Sequence, residues 1–239
     1  MQIETLNRQA HGKLKIDTEG VAALGARERM VPVVLDEFQK LIVHYPLVLT
    51  KSAETGQFLC AALLGFEQDE NLFWNNDRWD GIYTPLNISR QPFFLGKDSE
   101  QGLLICLDTQ SPCITQDAVK GESLFDEQGG ETQFLHNMRQ MLANLVESEK
   151  RTRQFIETLV KFELIVPLSL NITFASDEAR QVKGIYSVDE DKLLALPTAA
   201  RDELFNHGYL KSIYIMIASL AHIYSLIQRK NQRIAEKLR

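Results

Sequence analysis

Residues 132–160 read TQFLHNMRQMLANLVESEKRTRQFIETLV, and how this stretch folds decides the fold class. Its apolar positions run Phe134, Met138, Met141, Leu142 and Leu145, then Phe155, Ile156, Leu159 and Val160. A spacing of three or four is that of an amphipathic helix. Between the two apolar groups lies ESEKRTRQ, 147–154, entirely polar. Either one helix crosses solvent there or two helices meet. Without glycine or proline in the gap, one continuous helix is the expectation.

Around this helix the pattern changes. QFLCAALLGF, 57–66, is almost unbroken apolar and predicts a central strand buried on both faces. LVLT, 47–50, predicts its neighbour across the turn KSAETG. PFFLG and GLLICLD, joined by KDSEQ, predict a hairpin over 93–107. LIVPLSLNITF, 164–174, and VKGIYSVD, 182–189, predict two more strands across ASDEARQ. Residues 1–20 suggest an extended arm or edge segment, and 111–132 a loop with a short strand near 123–126. PVVLDEFQKLIVHY, 32–45, suggests a short helix with Pro32 in its first turn. Asp189 is placed to cap EDKLLAL, a second short helix starts near Thr198, and Gly208 precedes a final helix from 209 to about 236. With no βαβ repeat, the expected fold class is α+β. It is a single domain over 1–239, whose largely antiparallel sheet of about five to six strands is covered by the long central helix and the C-terminal helix.

Composition narrows the function classes. The 239 residues are 44% hydrophobic and 24% charged, ordinary for a globular chain long enough to bury a core without staples. A net charge of −6 argues against a general nucleic-acid binder. The one basic run is the tail QRKNQRIAEKLR, 228–239, which suits a helix end. Three cysteines, an odd number, sit at Cys60, Cys106 and Cys113, the first two in apolar runs; buried free thiols and a cytoplasmic location are expected. The N-terminus has no apolar core of signal-peptide length. SIYIMIASLAHIYSLI, 212–227, falls short of the roughly 20 residues needed to span a bilayer, so a buried helix is expected rather than a membrane span.

Catalytic signatures are sparse. There is no phosphate-binding loop, no nucleophile elbow and no zinc spacing; EQGGET, before the long helix, lacks the lysine of a P-loop. The five histidines are scattered. No metal and no cofactor is expected. Asp108 closes an apolar strand, where capping is the ordinary role and a functional carboxylate the sharper one. RWDGIYTPLNISRQPFFL, 78–95, fits a compact loop packed by its own rings, with Trp79 and Tyr83 covering the sheet and Phe93 and Phe94 starting the next strand. Arg90 either bonds loop carbonyls, or pairs with Asp77 or Asp80, or presents a guanidinium beside an aromatic wall, which suits carboxylates, peptide ends or glycans. Trp79, Tyr83, Arg90, Phe93 and Asp108 are therefore the candidate ligand-binding residues.

LNRQAH near the start, YPLVL at 45–49, NLFW at 71–74, RWDGIYTPLNISRQPFFL, LLICLD, SLFDEQGGET, KGIYSVDEDKLLAL and GYLKSIYIMIASL together resemble the SapC family, named after a bacterial surface-array protein locus. The resemblance covers nearly the whole chain. One departure is that paired arginines are expected before the aromatic–Pro–Phe motif, whereas Ser89 and Gln91 flank a single Arg90 here. The resemblance implies no established activity. It suggests an accessory role in modifying or taking up peptides or other nutrients, beside halogenase-like or cupin- or JmjC-like enzymes.

Two main readings follow. The first is a non-catalytic binding or accessory protein that takes a peptide-like ligand or a companion modifying enzyme, with a possible homodimer face on the C-terminal helix. The alternative is an enzyme acting on a small peptide-like substrate, with Arg90, Asp108, Tyr83 and a histidine such as His136 converging. Surface-layer assembly is a third reading, disfavoured by the missing signal peptide.

Overall fold

A computed structural model describes residues 1–98, 102–116 and 120–237. In chain order the elements are β1 (Ile3–Thr5), α1 (Arg8–His11), β2 (Lys15–Ile16), β3 (Met30–Pro32), α2 (Phe38–Leu41), β4 (Leu47–Lys51), β5 (Phe58–Leu63), β6 (Trp74–Asn75) and β7 (Arg78–Trp79). There follow α3 (Leu86–Ser89), β8 (Phe93–Asp98), β9 (Gly102–Asp108), β10 (Ile114–Thr115), β11 (Glu122–Ser123) and α4 (Gln133–Lys161). The chain closes with β12 (Ile165–Thr173), β13 (Ala179–Val188), α5 (Glu190–Leu194), α6 (Thr198–Asn206), α7 (Tyr209–Ser219) and α8 (His222–Lys237).

The fold is α+β with antiparallel pairing, but the strands divide among several sheets rather than one. A five-stranded sheet has the order β12-β13-β4-β5-β3, and two three-stranded sheets have the orders β1-β9-β8 and β10-β2-β11; β6 and β7 form a two-stranded pair. The larger sheet and the helices around it enclose one apolar cluster, which includes Phe38, Leu47, Leu63, Phe73, Phe155, Ile213 and Leu226. A second cluster, with Ile16, Phe93, Leu107, Leu135 and Leu142, lies under the β8–β9 hairpin. α4 spans both: Leu135, Met138 and Leu142 enter the second, and Phe155, Ile156 and Leu159 the first.

The long helix is continuous from Gln133 to Lys161, as the missing breaker predicts. Thr132 caps it, its Oγ1 accepting from the Leu135 amide at 3.3 Å. The polar gap is not a solvent crossing, however. Ser148 and Thr152 are buried, and Thr152 Oγ1 donates to the Ser148 carbonyl at 2.7 Å and accepts from the Leu35 amide at 3.0 Å. The polar residues are there because this face of α4 lies against the chain that follows β3.

Two sequence expectations are corrected. The predicted helix over 32–45 begins later, because Met30–Pro32 pairs with β5 as an edge strand, and only 38–41 is α-helical after a 3₁₀ turn over Leu35–Glu37. An edge strand tolerates a proline, which has no amide hydrogen to contribute. The final helix is two helices. Ser219 Oγ donates to the Met216 carbonyl at 2.6 Å and accepts from the Leu47 amide at 2.8 Å. Around it the turn tightens to bonds over three residues, Leu220 to Ile217 and Ala221 to Ala218. Taken together, residues 209–237 are long and apolar enough to cross a membrane by length and composition, with 28% of the most apolar window buried. One face, with Ile213, Met216, Ile223 and Leu226, is packed inside; Tyr214 and Tyr224 lie exposed on the other.

All three cysteines are free and buried. The predicted turn 97–101 and loop 111–132 fall partly outside the described residues, as does the end of the basic tail.

Candidate functional site

The segment 78–94 forms more regular structure than its composition suggests. β6 and β7 pair as a short hairpin, Trp74 opposite Trp79, and α3 follows Pro85. Its rings are tied by a chain of hydrogen bonds. Trp79 Nε1 donates to Tyr45 Oη at 2.8 Å, and Tyr45 Oη donates to the Tyr83 carbonyl at 2.6 Å. Burial raises the Tyr45 phenol to about 12, so it stays a donor at neutral pH. Gly81 permits this approach, since a Cβ there would stand 2.3 Å from Tyr45 Oη.

Tyr83 Oη in turn donates to Glu37 Oε1 at 3.1 Å. Glu37 is 1% exposed. Its carboxylate also accepts from the Leu86 amide at 2.7 Å and the Val34 amide at 3.1 Å. One buried acid thus joins the turn after β3 to the start of α3. Burial pushes its carboxyl above the usual carboxylate value, against the bonds that favour the charge. Nothing in the local sequence distinguishes Glu37 from a solvated acid, and sequence reasoning missed it.

At least four clefts meet α4, and the 78–94 segment contributes to each; the smallest of these, about 190 Å³, has Phe134 and Met138 on one wall and Thr84, Ser89 and Gln91 on another. The largest, about 790 Å³, lies between α4 and the outer part of β5. Val33, Phe58, Leu59, Thr152, Arg153 and Ile156 line it, with Asn87 at its margin. A second of about 440 Å³ is walled by Arg90, Phe94, Leu95, Val146, Glu149, Lys150 and Arg153. These two share Glu149 and Arg153 and meet where Arg90 Nε donates to Asn87 Oδ1 at 2.8 Å. They make one groove along α4. The third, about 500 Å³, lies beside Tyr83, Lys40 and Arg151.

In the largest cleft β5 shows an open edge. β4 covers β5 over its whole length, Lys51 opposite Phe58 through Leu47 opposite Ala62. β3 covers the other edge only from Leu63 to Ala61. One more bond, from the Val33 amide to the Cys60 carbonyl at 2.9 Å, extends that coverage before the chain turns away. Backbone groups alternate sides along a strand. The Gln57 carbonyl faces β4, accepting from Ser52, and the Cys60 carbonyl faces Val33. The amide and carbonyl of Phe58 therefore face the cleft, beyond the end of β3.

The predicted site residues do not gather at one point. Trp79 and Tyr83 are half-buried against the main core. Arg90 realises two of its expected roles: Nη1 donates to the Phe93 carbonyl at 2.8 Å, and the guanidinium lies 4.6 Å from the centre of the Phe94 ring. It does not pair with Asp80, which binds Arg229 at 2.6 Å. Phe93 is fully buried, 6.2 Å from Phe134, and it is Phe94 that faces the groove. Asp108 Oδ1 accepts from the amides of Gln2 at 2.8 Å and Gln110 at 3.2 Å, ordering the turn after β9. His136 is exposed near the start of α4. Among the described residues no hydrogen bond or ion pair joins any two of Tyr83, Arg90, Asp108 and His136, and no three His, Cys, Asp or Glu side chains are grouped to hold a metal ion.

The sequence matches the family described as SapC over residues 6–226. The chain belongs to the SapC family. No curated protein and no solved structure matches it. The SapC match takes in every residue of the groove and the whole Trp79–Tyr45–Tyr83–Glu37 chain, and stops within α8. Cys60, on the groove floor, is the one thiol in the SapC groove lining. Complete burial pushes it far above the usual thiol value, which keeps it protonated and unreactive.

Proposed function

We propose that this chain is a binding protein that takes a short extended peptide, or a peptide-like chain, into the groove along α4 and performs no chemistry on it. The observation that carries this reading is the outer edge of β5 at Phe58. An unpaired strand edge inside a cleft is matched by the backbone of an added strand, which supplies one donor and one acceptor at every second residue. In water such an edge is blunted or covered; here a helix flanks it and leaves a space open beside it.

The dimensions agree. From Val146 to Val160 α4 rises about 21 Å, the reach of about six extended residues. The walls combine apolar area from Phe58, Leu59, Ile156 and Val146 with charges from Lys51, Arg153, Glu149 and Glu157. That mixture suits alternating side chains rather than a uniformly charged polymer. A protein that holds a peptide without altering it would act by presenting it to another protein, such as a companion modifying enzyme in the same compartment.

Amide-resolved hydrogen exchange with an equimolar hexapeptide mixture tests this. Slower exchange is expected at Phe58, with little change on β12. Unchanged exchange at Phe58 under a large excess of the mixture would refute the reading. Phe58→Pro is the matching variant. It removes the cleft-facing donor at the first residue of β5, where proline is tolerated, and should abolish peptide retention while the chain still folds cooperatively.

A further inference from the structure

The narrow end of the groove carries an unusual balance of charge. Arg90, Lys150 and Arg153 all line it, with Glu149 as the one acid. Among the described residues none of these three cations forms an ion pair, although Arg151 on the opposite side of α4 pairs with Asp36, and Lys161 at its end with Glu203. Arg90 is half-buried and held in place. Nε and Nη1 are committed to Asn87 and Phe93, and Phe94 supports the flat face of the guanidinium. Among the described residues Nη2 has no hydrogen-bond partner. A preorganised guanidinium with a free donor is the recurrent device for a planar oxyanion.

The other walls say which oxyanion. Phe94, Leu95, Leu142, Leu145 and Val146 are apolar. A free phosphate would leave that surface unused, whereas an acid group attached to an apolar side chain uses both. We propose that this end of the groove is a carboxylate pocket, in which Arg90, assisted by Lys150 and Arg153, holds the C-terminal carboxylate of a peptide whose last side chain is apolar. The inference deepens the peptide-binding reading and rests on it. It also gives the bound strand a direction: the C-terminus lies at Arg90 and the preceding residues run along α4 toward Phe58.

The test uses affinity selection by mass spectrometry. The full-length chain is offered an equimolar mixture of random hexapeptides, each as the free acid and as the C-terminal amide. Acids should be retained at least about tenfold over the matching amides, the weight of a charge-assisted hydrogen bond. Leucine, isoleucine and phenylalanine should be enriched at the last position. Arg90→Gln should bring acids and amides to parity while peptides are still retained, and Arg153→Gln should narrow the difference. Equal retention of acids and amides by the wild-type chain overturns the carboxylate pocket and leaves the peptide groove standing. Retention of neither class overturns both.

Discussion

Replacing Glu37 should separate a buried structural acid from an ordinary surface one. Its carboxylate accepts from the Leu86 amide, the Val34 amide and the Tyr83 hydroxyl. In Glu37→Ala these donors lose their acceptor together. Tyr83 borders a cleft and can turn to water; the two amides have less freedom. Each buried donor left unsatisfied costs about 1–3 kcal/mol, so a loss of about 3 kcal/mol is expected. Glu37→Gln keeps one oxygen for Leu86 and Tyr83 but sets an NH₂ against the Val34 amide. It also removes a buried charge, so its net cost should be about 1 kcal/mol at neutral pH. The pH dependence supplies a second readout. Because burial raises the Glu37 carboxyl, the folded chain binds more protons than the unfolded chain between about pH 4.3, the free value, and the raised folded value. Stability from this group therefore falls as pH rises through that window. Urea unfolding from pH 5 to 8 should show the decline in the parent and its absence in Glu37→Gln. A loss below about 1 kcal/mol in Glu37→Ala, or an unchanged pH slope in Glu37→Gln, would refute the assignment of Glu37 as the acid joining the turn after β3 to α3.

Other substitutions probe neighbouring parts of the same frame. Gly81→Ala places a methyl against Tyr45 Oη and Trp79 Nε1; it should cost about 1–3 kcal/mol by overpacking and shift the tryptophan fluorescence, measured during urea unfolding. Lys230 is 8% exposed, with Nζ 2.6 Å from Glu70 and 2.9 Å from Glu67. Lys230→Met leaves the Glu70 charge unpaired and should cost about 3–5 kcal/mol in the same assay. The hydrogen bond from Lys230 holds Glu67 below the ordinary carboxylate value, so its contribution is complete above about pH 4.3 and lost as pH falls through the folded value; acid titration of Lys230→Met should lack that step. Asp108→Ala should lower stability by about 1 kcal/mol and leave peptide retention unchanged, because its carboxylate serves the turn after β9 and lies outside the groove lining.

What was legible in the sequence followed from local periodicity. The 3.6-residue pattern on either side of 147–154 and the absence of a breaker gave α4 whole. The apolar run at 57–66 gave the buried strand β5, which has a neighbour on each side over Leu63–Ala61. What was not legible depends on partners far along the chain. The stretch 32–45 has helical spacing, yet its first residues are drawn into a strand by β5, about thirty residues on. The polar gap of α4 reads as solvated, but Thr152 is buried because Leu35 needs an acceptor. Glu37 looks like any acid beside an aspartate until Tyr83 and Leu86 close over it. The segment 78–94 could be recognised as stiff and aromatic, but nothing in it shows that its residues divide among several clefts, or that Phe93 turns inward while Phe94 turns out. That division is set by the register of β8 on β9, which pairs Phe93 with Leu107.

The case for a ligand at Arg90 is strengthened by a second arginine in the same chain. Arg229 lies 4.5 Å from the Phe73 ring, much as Arg90 lies 4.6 Å from Phe94. Both guanidiniums stack on an aromatic face, and both donate to backbone carbonyls. They differ in one respect. Arg229 is neutralised by Asp80 at 2.6 Å, and the bond in turn lowers the Asp80 carboxyl. Among the described residues Arg90 has no carboxylate within ion-pair distance; burial weakens its hold on its proton, and the longer-range charge of Glu149 offsets that in part. If the role of Arg90 were only to brace the loop, Asn87 and the Phe93 carbonyl would engage a neutral donor as well, without the cost of desolvating a charge. A charge kept half-buried and stacked at the end of a groove, with no carboxylate bonded to it among the described residues, is offset when an anion arrives, and its desolvation is what makes that arrival selective.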